Sequence, residues 1–208
     1  DSVKTNPFSL LKLPKLPDRE VMWPEEHIQG MIDFCDAQGR QSMGTMITLA
    51  YQFCQRVIDV RLFTWDNFDL DAGHCNFTQQ KTGAKMSISI TPSVRKRLEL
   101  HTRSNRDSYV LREESTGKPY TSDRSAKSFR KLAKAYGLPV AFDSATNMYT
   151  NIWLNDLRRT GTTHASRAGC TDRELMSLTG HRNPQMLVVY AKHGNIEAEN
   201  AMRKRGLL

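Results

Sequence analysis

The chain has 208 residues, 38% hydrophobic and 25% charged, with a net charge of +8. That length buries a real core as one domain of about 180 residues plus a short tail, and the composition is that of an ordinary globular protein. It contains no apolar run able to span a bilayer and no signal peptide, and its cysteines (Cys35, Cys54, Cys75, Cys170) form neither a zinc pattern nor a secreted disulfide framework.

The charge is unevenly placed. Residues 1–93 carry nine Lys+Arg against eleven Asp+Glu, a net of −2; residues 94–208 carry twenty-one against eleven, a net of +10. A cationic excess confined to one half points to a polyanionic partner, nucleic acid ahead of an anionic membrane. The scattered cysteines read as reduced core thiols of a cytoplasmic protein.

Residues 1–20, with three prolines and little periodicity, predict a linker or arm. The chain begins at Asp1 rather than Met, which is expected of a piece of something longer. Trp23-Pro24-Glu25-Glu26 opens a first helix that stops near Gln38-Gly39, with Ile28, Met31, Ile32 and Cys35 as its apolar stripe. A second helix is predicted from Arg40 to Cys54, and another turn from Val57 to Phe63. The period then changes to two. Asn76–Gln80 and Lys85–Ile90 predict a hairpin turning at Lys81-Thr82-Gly83-Ala84. Pro92 starts a basic helix, Ser93 to His101, and a turn-rich segment with short buried structure at Tyr109-Val110-Leu111 follows.

Ser122–Tyr136 predicts an amphipathic helix. Phe129, Leu132, Ala133 and Tyr136 fall on one side, and Arg124, Lys127, Arg130, Lys131 and Lys134 on the other. Five cations with no interleaved acid suggest contacts to phosphates. Further on, a helix from Trp153 ends at Gly169, and the capping box Thr171–Glu174 starts a short helix ending at Gly180. Asn183-Pro184 starts a helix carrying Tyr190, and a last helix spans about Asn195 to Arg205.

Several short patterns recur in one order. Arg56 is followed three residues later by Asp59 and then by a hydrophobic element ending at Trp65; Lys81 sits on the hairpin; Asn155-Asp156-Leu157-Arg158 opens a helix; Thr179-Gly180-His181 precedes Tyr190 by nine residues. Together, over about residues 54 to 192, they resemble the active-site segments of the tyrosine recombinases, the phage-integrase family. Asn155 stands where that family usually has a histidine, and Thr179 where it has a leucine. The resemblance implies a mostly α domain with a small antiparallel β-sheet (α+β), the catalytic-domain fold of that family. It also implies site-specific DNA recombination through a 3′-phosphotyrosine, with Arg56, Lys81, Arg158, His181 and Tyr190 catalytic and Asp59 and Asn155 supporting.

The chemistry accounts for the set. Attack on a phosphodiester concentrates charge on two non-bridging oxygens, which Arg56 and Arg158 would clamp with charge-assisted hydrogen bonds. Tyr190 would be the nucleophile, Lys81 the general acid for the departing 5′-oxygen, and His181 a hydrogen-bond donor to the phosphate. Asp59 would orient a neighbour. Asn155 is expected to touch the phosphate without acid–base work, although Asn at a helix start is also a favoured cap. No metal or other cofactor is expected. Arg159 and Arg61 are assigned to the surface or the DNA backbone, His164, Trp65 and Trp153 to packing.

The implied partners are double-stranded DNA, further copies of the chain as a tetramer on two duplexes, and accessory DNA-bending proteins, with no membrane. Residues 1–20 would link to a separate DNA-clamping domain, 21–194 would be catalytic, and 195–208 would dock on a neighbouring protomer. The same chemistry also serves a type IB topoisomerase or a telomere resolvase. A degenerate domain would serve a DNA-binding regulator.

Overall fold

The computed structural model describes residues 18–103, 108–187, 202–203 and 205–206. Its first helix, α1 (Glu25–Ala37), follows Pro24 and places Glu25 and Glu26 at its positive end, burying the expected Ile28, Met31, Ile32 and Cys35. The second, α2 (Gln41–Gln52), is buried continuously from Ser42 to Ala50, which makes it the central helix of the domain. It packs on α1, on a one-turn helix α3 (Val57–Val60), and on α4 (Pro92–Glu99) and α6 (Asp156–Arg167).

Between α3 and α4 lies an antiparallel sheet of order β1-β2-β3, formed by Phe68–Asp69, His74–Thr78 and Lys85–Ser89. Cys75 pairs with Ile88 and Phe77 with Met86, so the alternation turns these apolar side chains to the core. The hairpin matches the sequence reading, but β2 ends two residues before the expected Gln80. Gln79 still pairs across the turn, its amide donating to the Ala84 carbonyl at 2.9 Å and its carbonyl accepting from the Gly83 amide at 2.9 Å, while its side chain is buried.

Helix α5 (Ser122–Tyr136) has the bounds that its sequence predicts. Thr121 accepts a hydrogen bond from the Arg124 amide at its start, and Gly137 closes it in the left-handed conformation. Residues 137–152, where the sequence suggests no element, hold a small exposed hairpin, β4 (Ala141–Asp143) and β5 (Met148–Thr150). Helix α6 starts at Asp156 rather than Trp153, because Trp153-Leu154-Asn155 form the turn leading into it, closed by the Trp153 amide donating to Asp156 Oδ2 at 2.8 Å. Helix α7 (Asp172–Thr179) carries the predicted capping box of Thr171 and Glu174. The expected helices around Tyr190 and from Asn195 fall largely outside the described residues; what is described there begins with a single 3-10 turn, Pro184–Met186, capped by Asn183.

The core gathers Trp23, Met31, Met46, Phe53, Phe63, Phe129 and Leu157 from five helices or their flanks. Trp65 is packed in it as expected, but Trp153 is not: half of it is exposed. Cys35, Cys54 and Cys75 are buried, Cys170 only partly. Among the described residues no helix is long and apolar enough to cross a membrane.

The tightest packing joins α6 to α2. A Cβ on Gly161 would stand 2.2 Å from the Tyr51 carbonyl oxygen and 3.0 Å from Cys54 Sγ. Backbone cannot yield to that overlap as a side-chain tip can, so Gly161→Ala must push α6 away. The variant is expected to lose about 3 kcal/mol, the upper end of overpacking costs, in urea unfolding.

Candidate active site

Arg158 is built into the first turn of α6 and points back toward the end of α2. Its Nη1 donates to the Cys54 carbonyl at 3.0 Å and its Nη2 to the Thr179 carbonyl at 2.9 Å. The same Nη2 lies 3.1 Å from His181 Nε2. The guanidinium therefore ties the α2–α3 turn to the end of α7, at 7% exposure. Cys54 enters that turn with φ +51, an uncommon conformation for a side-chain-bearing residue, and this is the residue whose carbonyl Arg158 takes.

His181 follows the left-handed cap Gly180, where a Cβ would meet the Gln79 amide at 2.8 Å. Only glycine fits both the φ of +73 and that approach. The ring's tautomer follows from its neighbours. Thr179 Oγ1 donates to the Leu175 carbonyl at 2.6 Å, so at 2.9 Å it accepts from His181 Nδ1–H. Nε2 is then the acceptor facing Arg158. Burial, then the charges of Arg158 and Arg56, push the ring's pKa down to about 4. His181 is thus a neutral imidazole whose Nε2 accepts from Arg158, whereas the sequence suggests a donor.

Gln79 joins the upstream residues to this pair. Its Nε2 donates to Gln55 Oε1 at 2.7 Å and to the Thr179 carbonyl at 2.8 Å. Its Oε1 accepts from Thr82 Oγ1 at 2.6 Å and from Arg56 Nη1 at 3.4 Å. Gln55 in turn donates to the carbonyls of Phe53 and Leu178. Sequence reasoning missed Gln55 and Gln79 and saw Thr179 only as a departure from the family pattern; the one available signal is a pair of amides beside catalytic-type residues.

Asp59, one turn beyond Arg56, accepts the Gln80 amide at 2.7 Å through Oδ1, and its buried Oδ2 has no partner among the described residues. The neighbour it orients is therefore the hairpin tip. Arg182 holds the same tip from the other side, donating to the Thr82 carbonyl at 3.0 Å. Lys81 sits exposed at the tip between these restraints.

Arg56, Arg158 and Asn155 line one cleft of about 670 Å³, together with Arg61, Arg130 and Trp153. Four arginines line this one concavity, a composition that suits an anion. Asn155 is exposed there and does not cap α6: its backbone is already helical and its amide makes no capping bond. Tyr190 lies outside the described residues.

The basic face of α5 is exposed as expected, but not free of acids. Arg124 pairs with Glu113 at 2.5 Å and Lys127 with Asp123 at 2.7 Å, while Arg130, Lys131 and Lys134 continue the face. Arg159 is not on the outer surface; it lies 3.4 Å from Glu20 and donates to the Arg19 carbonyl. Arg61 donates to the Tyr120 carbonyl at 3.1 Å. His164 bonds the Tyr51 hydroxyl at 2.9 Å, a packing role as expected. Among the described residues no group of His, Cys, Asp and Glu could hold a metal.

The profile of the phage integrase family matches residues 22–195. No curated protein matches the sequence. Among solved structures, XerA recombinase superposes with a TM-score of 0.68 at 15% identity, over 96% of this chain and 68% of that one. The Tn1549 transposon integrase, in complex with transposon right end DNA, gives 0.65 at 17%, over 99% and 73%. A lambda integrase dimer bound to a COC′ core site gives 0.65 at 18%, over 87% and 51%. The chain thus has the catalytic-domain fold of the tyrosine recombinases.

The Thr179 hydroxyl sets which nitrogen of His181 carries the proton. In ¹⁵N-edited spectra at pH 7 the ring should be neutral and protonated on Nδ1. Thr179→Val should shift it toward the Nε2–H tautomer, because about 1 kcal/mol of hydrogen bonding is lost on that side. An unchanged tautomer would contradict the assignment.

Proposed function

The chain belongs to the phage integrase family, the tyrosine recombinases, and from that premise we propose that it is the catalytic part of a site-specific DNA recombinase in which Tyr190 is the nucleophile. The observation that carries this reading is the convergence of Arg158, His181 and, through Gln79, Arg56 beside a cleft that also holds Asn155.

The scissile phosphodiester would lie in the cleft, its non-bridging oxygens taken by Arg56 and Arg158. Arg158 is already fixed by two carbonyls, so little reorganisation accompanies charge development. Tyr190 Oη attacks phosphorus, the P–O5′ bond breaks, and a 3′-phosphotyrosine forms. Lys81 gives its proton to the departing 5′-oxygen. The proton of Tyr190 goes to His181. Asn155 cannot take it, whereas Nε2 is an acceptor that holds an Arg158 N–H before DNA binds; the incoming anion would draw that N–H to itself and offset the burial and cations that keep the ring neutral. Once protonated, His181 hydrogen-bonds the phosphate as the sequence suggests. Attack of a 5′-hydroxyl of the exchanged strand on the phosphotyrosine reverses these steps and rejoins DNA.

Residues 21–194 would form this catalytic unit, 1–20 the arm to a DNA-clamping domain, and 195–208 the element that meets a neighbouring protomer. The exposed cations of α5 would follow the DNA backbone. Lambda integrase is known as a dimer on a core site and as a tetramer on a Holliday junction, which supports assembly of four copies here. A cytoplasmic setting fits the unpaired cysteines.

A nicked half-site that loses its 5′ fragment on cleavage tests the reading by trapping the adduct. The wild-type chain should become covalently attached to DNA and Tyr190→Phe should not. Absence of an adduct on any cognate site would favour a DNA-binding regulator. Lys81→Ala should slow cleavage at least a hundredfold, and a 5′-bridging sulfur, a leaving group that needs no proton, should restore it. Free-enzyme kcat/KM should fall on the acid side only near pH 4, where His181 becomes protonated. Asn155→His should add a limb near an ordinary histidine value of about 6.5; an unaltered profile would count against Asn155 facing the phosphate.

A further inference from the structure

Arg19 and Glu20 precede α1 in sequence but lie against the start of α6. Arg19 grips Asp156 with both prongs of its guanidinium, Nε to Oδ1 at 2.8 Å and Nη2 to Oδ2 at 2.9 Å. The same guanidinium donates to the Asn151 carbonyl and lies 4.1 Å from the Trp153 ring centroid. The grip is returned from α6, where Arg159 Nε donates to the Arg19 carbonyl at 3.3 Å and Nη2 lies 3.4 Å from Glu20. Glu20 is also fixed to the β4–β5 hairpin, its amide donating to Asp143 Oδ1 at 2.9 Å. Residues 151, 153, 156 and 159 therefore all report to two residues upstream of the domain's first helix, and they flank Asn155 and Arg158.

We propose that Arg19 is a positioning residue for strand cleavage: its fork on Asp156 fixes the turn that presents Asn155 and the first turn of α6 that aims Arg158. The proposal rests on the recombinase reading above. Asn155 does not cap α6, so the start of this helix is held from outside, by Arg19 on a carboxylate whose side chain is 6% exposed. That carboxylate also closes the turn through the Trp153 amide. A planar fork on a nearly buried carboxylate is directional in a way an ammonium is not. The stacked Trp153, which lines the cleft, removes the remaining freedom of the guanidinium. Misplacing a catalytic group by about 1 Å can cost up to about a hundredfold in rate.

Arg19→Ala and Arg19→Lys in the whole chain test this by three measurements: single-turnover cleavage of the nicked half-site at saturating DNA, DNA affinity, and amide hydrogen exchange at 153–160. Both variants should cleave about tenfold more slowly at saturation with less than a threefold change in Kd. Exchange at the start of α6 should quicken more than exchange in α2, so that the loosening is local rather than a general loss of stability. Arg19→Ala combined with Asp156→Asn should be no slower than the slower single variant, because the two groups act as one joint. Wild-type rates in Arg19→Lys, or a loss confined to Kd, would overturn the proposal and make Arg19 a charge contact to DNA. Unchanged exchange would overturn it regardless of what DNA does. Quickened exchange in a chain that forms no adduct even as wild type would leave the joint standing and overturn the recombinase reading instead.

Discussion

The site depends on how one cation, the Arg158 guanidinium, is kept almost out of water. It is satisfied by the carbonyls of Cys54 and Thr179, which belong to segments far apart in sequence. The two carbonyl dipoles fix the orientation of the guanidinium beside the cleft. The same two bonds impose conditions elsewhere. Cys54 must turn with a positive φ to offer its carbonyl, α7 must end where Thr179 can reach, and Gly180 must leave room for Gln79. A short stretch of irregular backbone at each end is the structural cost of placing a charge there.

From this anchor the remaining groups are positioned through amides. Gln79 reads the Thr179 carbonyl with its nitrogen and Arg56 with its oxygen, and thereby relates the two arginines that would clamp one phosphate. Asp59 and Arg182 hold opposite sides of the hairpin tip on which Lys81 stands. Arg158 is thus held firmly, whereas Lys81, the proposed acid, stands on a hairpin tip restrained on both sides. That division suits a reaction in which charge stabilisation must be preorganised but the proton donor must reach a leaving group only once DNA is in place.

Much of the frame is legible in the sequence because it rests on strong local signals. The bounds of α5 follow from Thr121, Gly137 and a single apolar stripe; α7 follows from Thr171, Glu174 and Gly180. The β2–β3 hairpin follows from alternation around Gly83. The β4–β5 hairpin has no such signal: its strands have three residues each, and Phe142 and Tyr149 face solvent against each other instead of a core. For the site, the sequence supplies residue types and their order. It cannot supply Gln55 and Gln79, whose roles arise from contacts across the fold. Arg159 illustrates the opposite error, since a cation beside a catalytic-type arginine suggests DNA, yet its partner Glu20 lies in a segment that reads as a linker.

The two departures from the family pattern, Asn155 and Thr179, become connected once the hydrogen bonds are followed. A histidine at 155 would supply a second titratable ring in the cleft; asparagine supplies only an amide, exposed and facing the space where the phosphate would lie. A leucine at 179 would pack against its surroundings and leave His181 Nδ1 without a partner from that side chain. Threonine supplies the oxygen that takes the Nδ1 proton and leaves Nε2 as acceptor. Asparagine removes a proton acceptor from the site, and threonine fixes the remaining imidazole in the tautomer that can accept. Burial and then the flanking arginines lower that imidazole's pKa; under the proposed mechanism the ring would stay neutral until a negatively charged substrate entered, which would tie proton transfer to the presence of DNA.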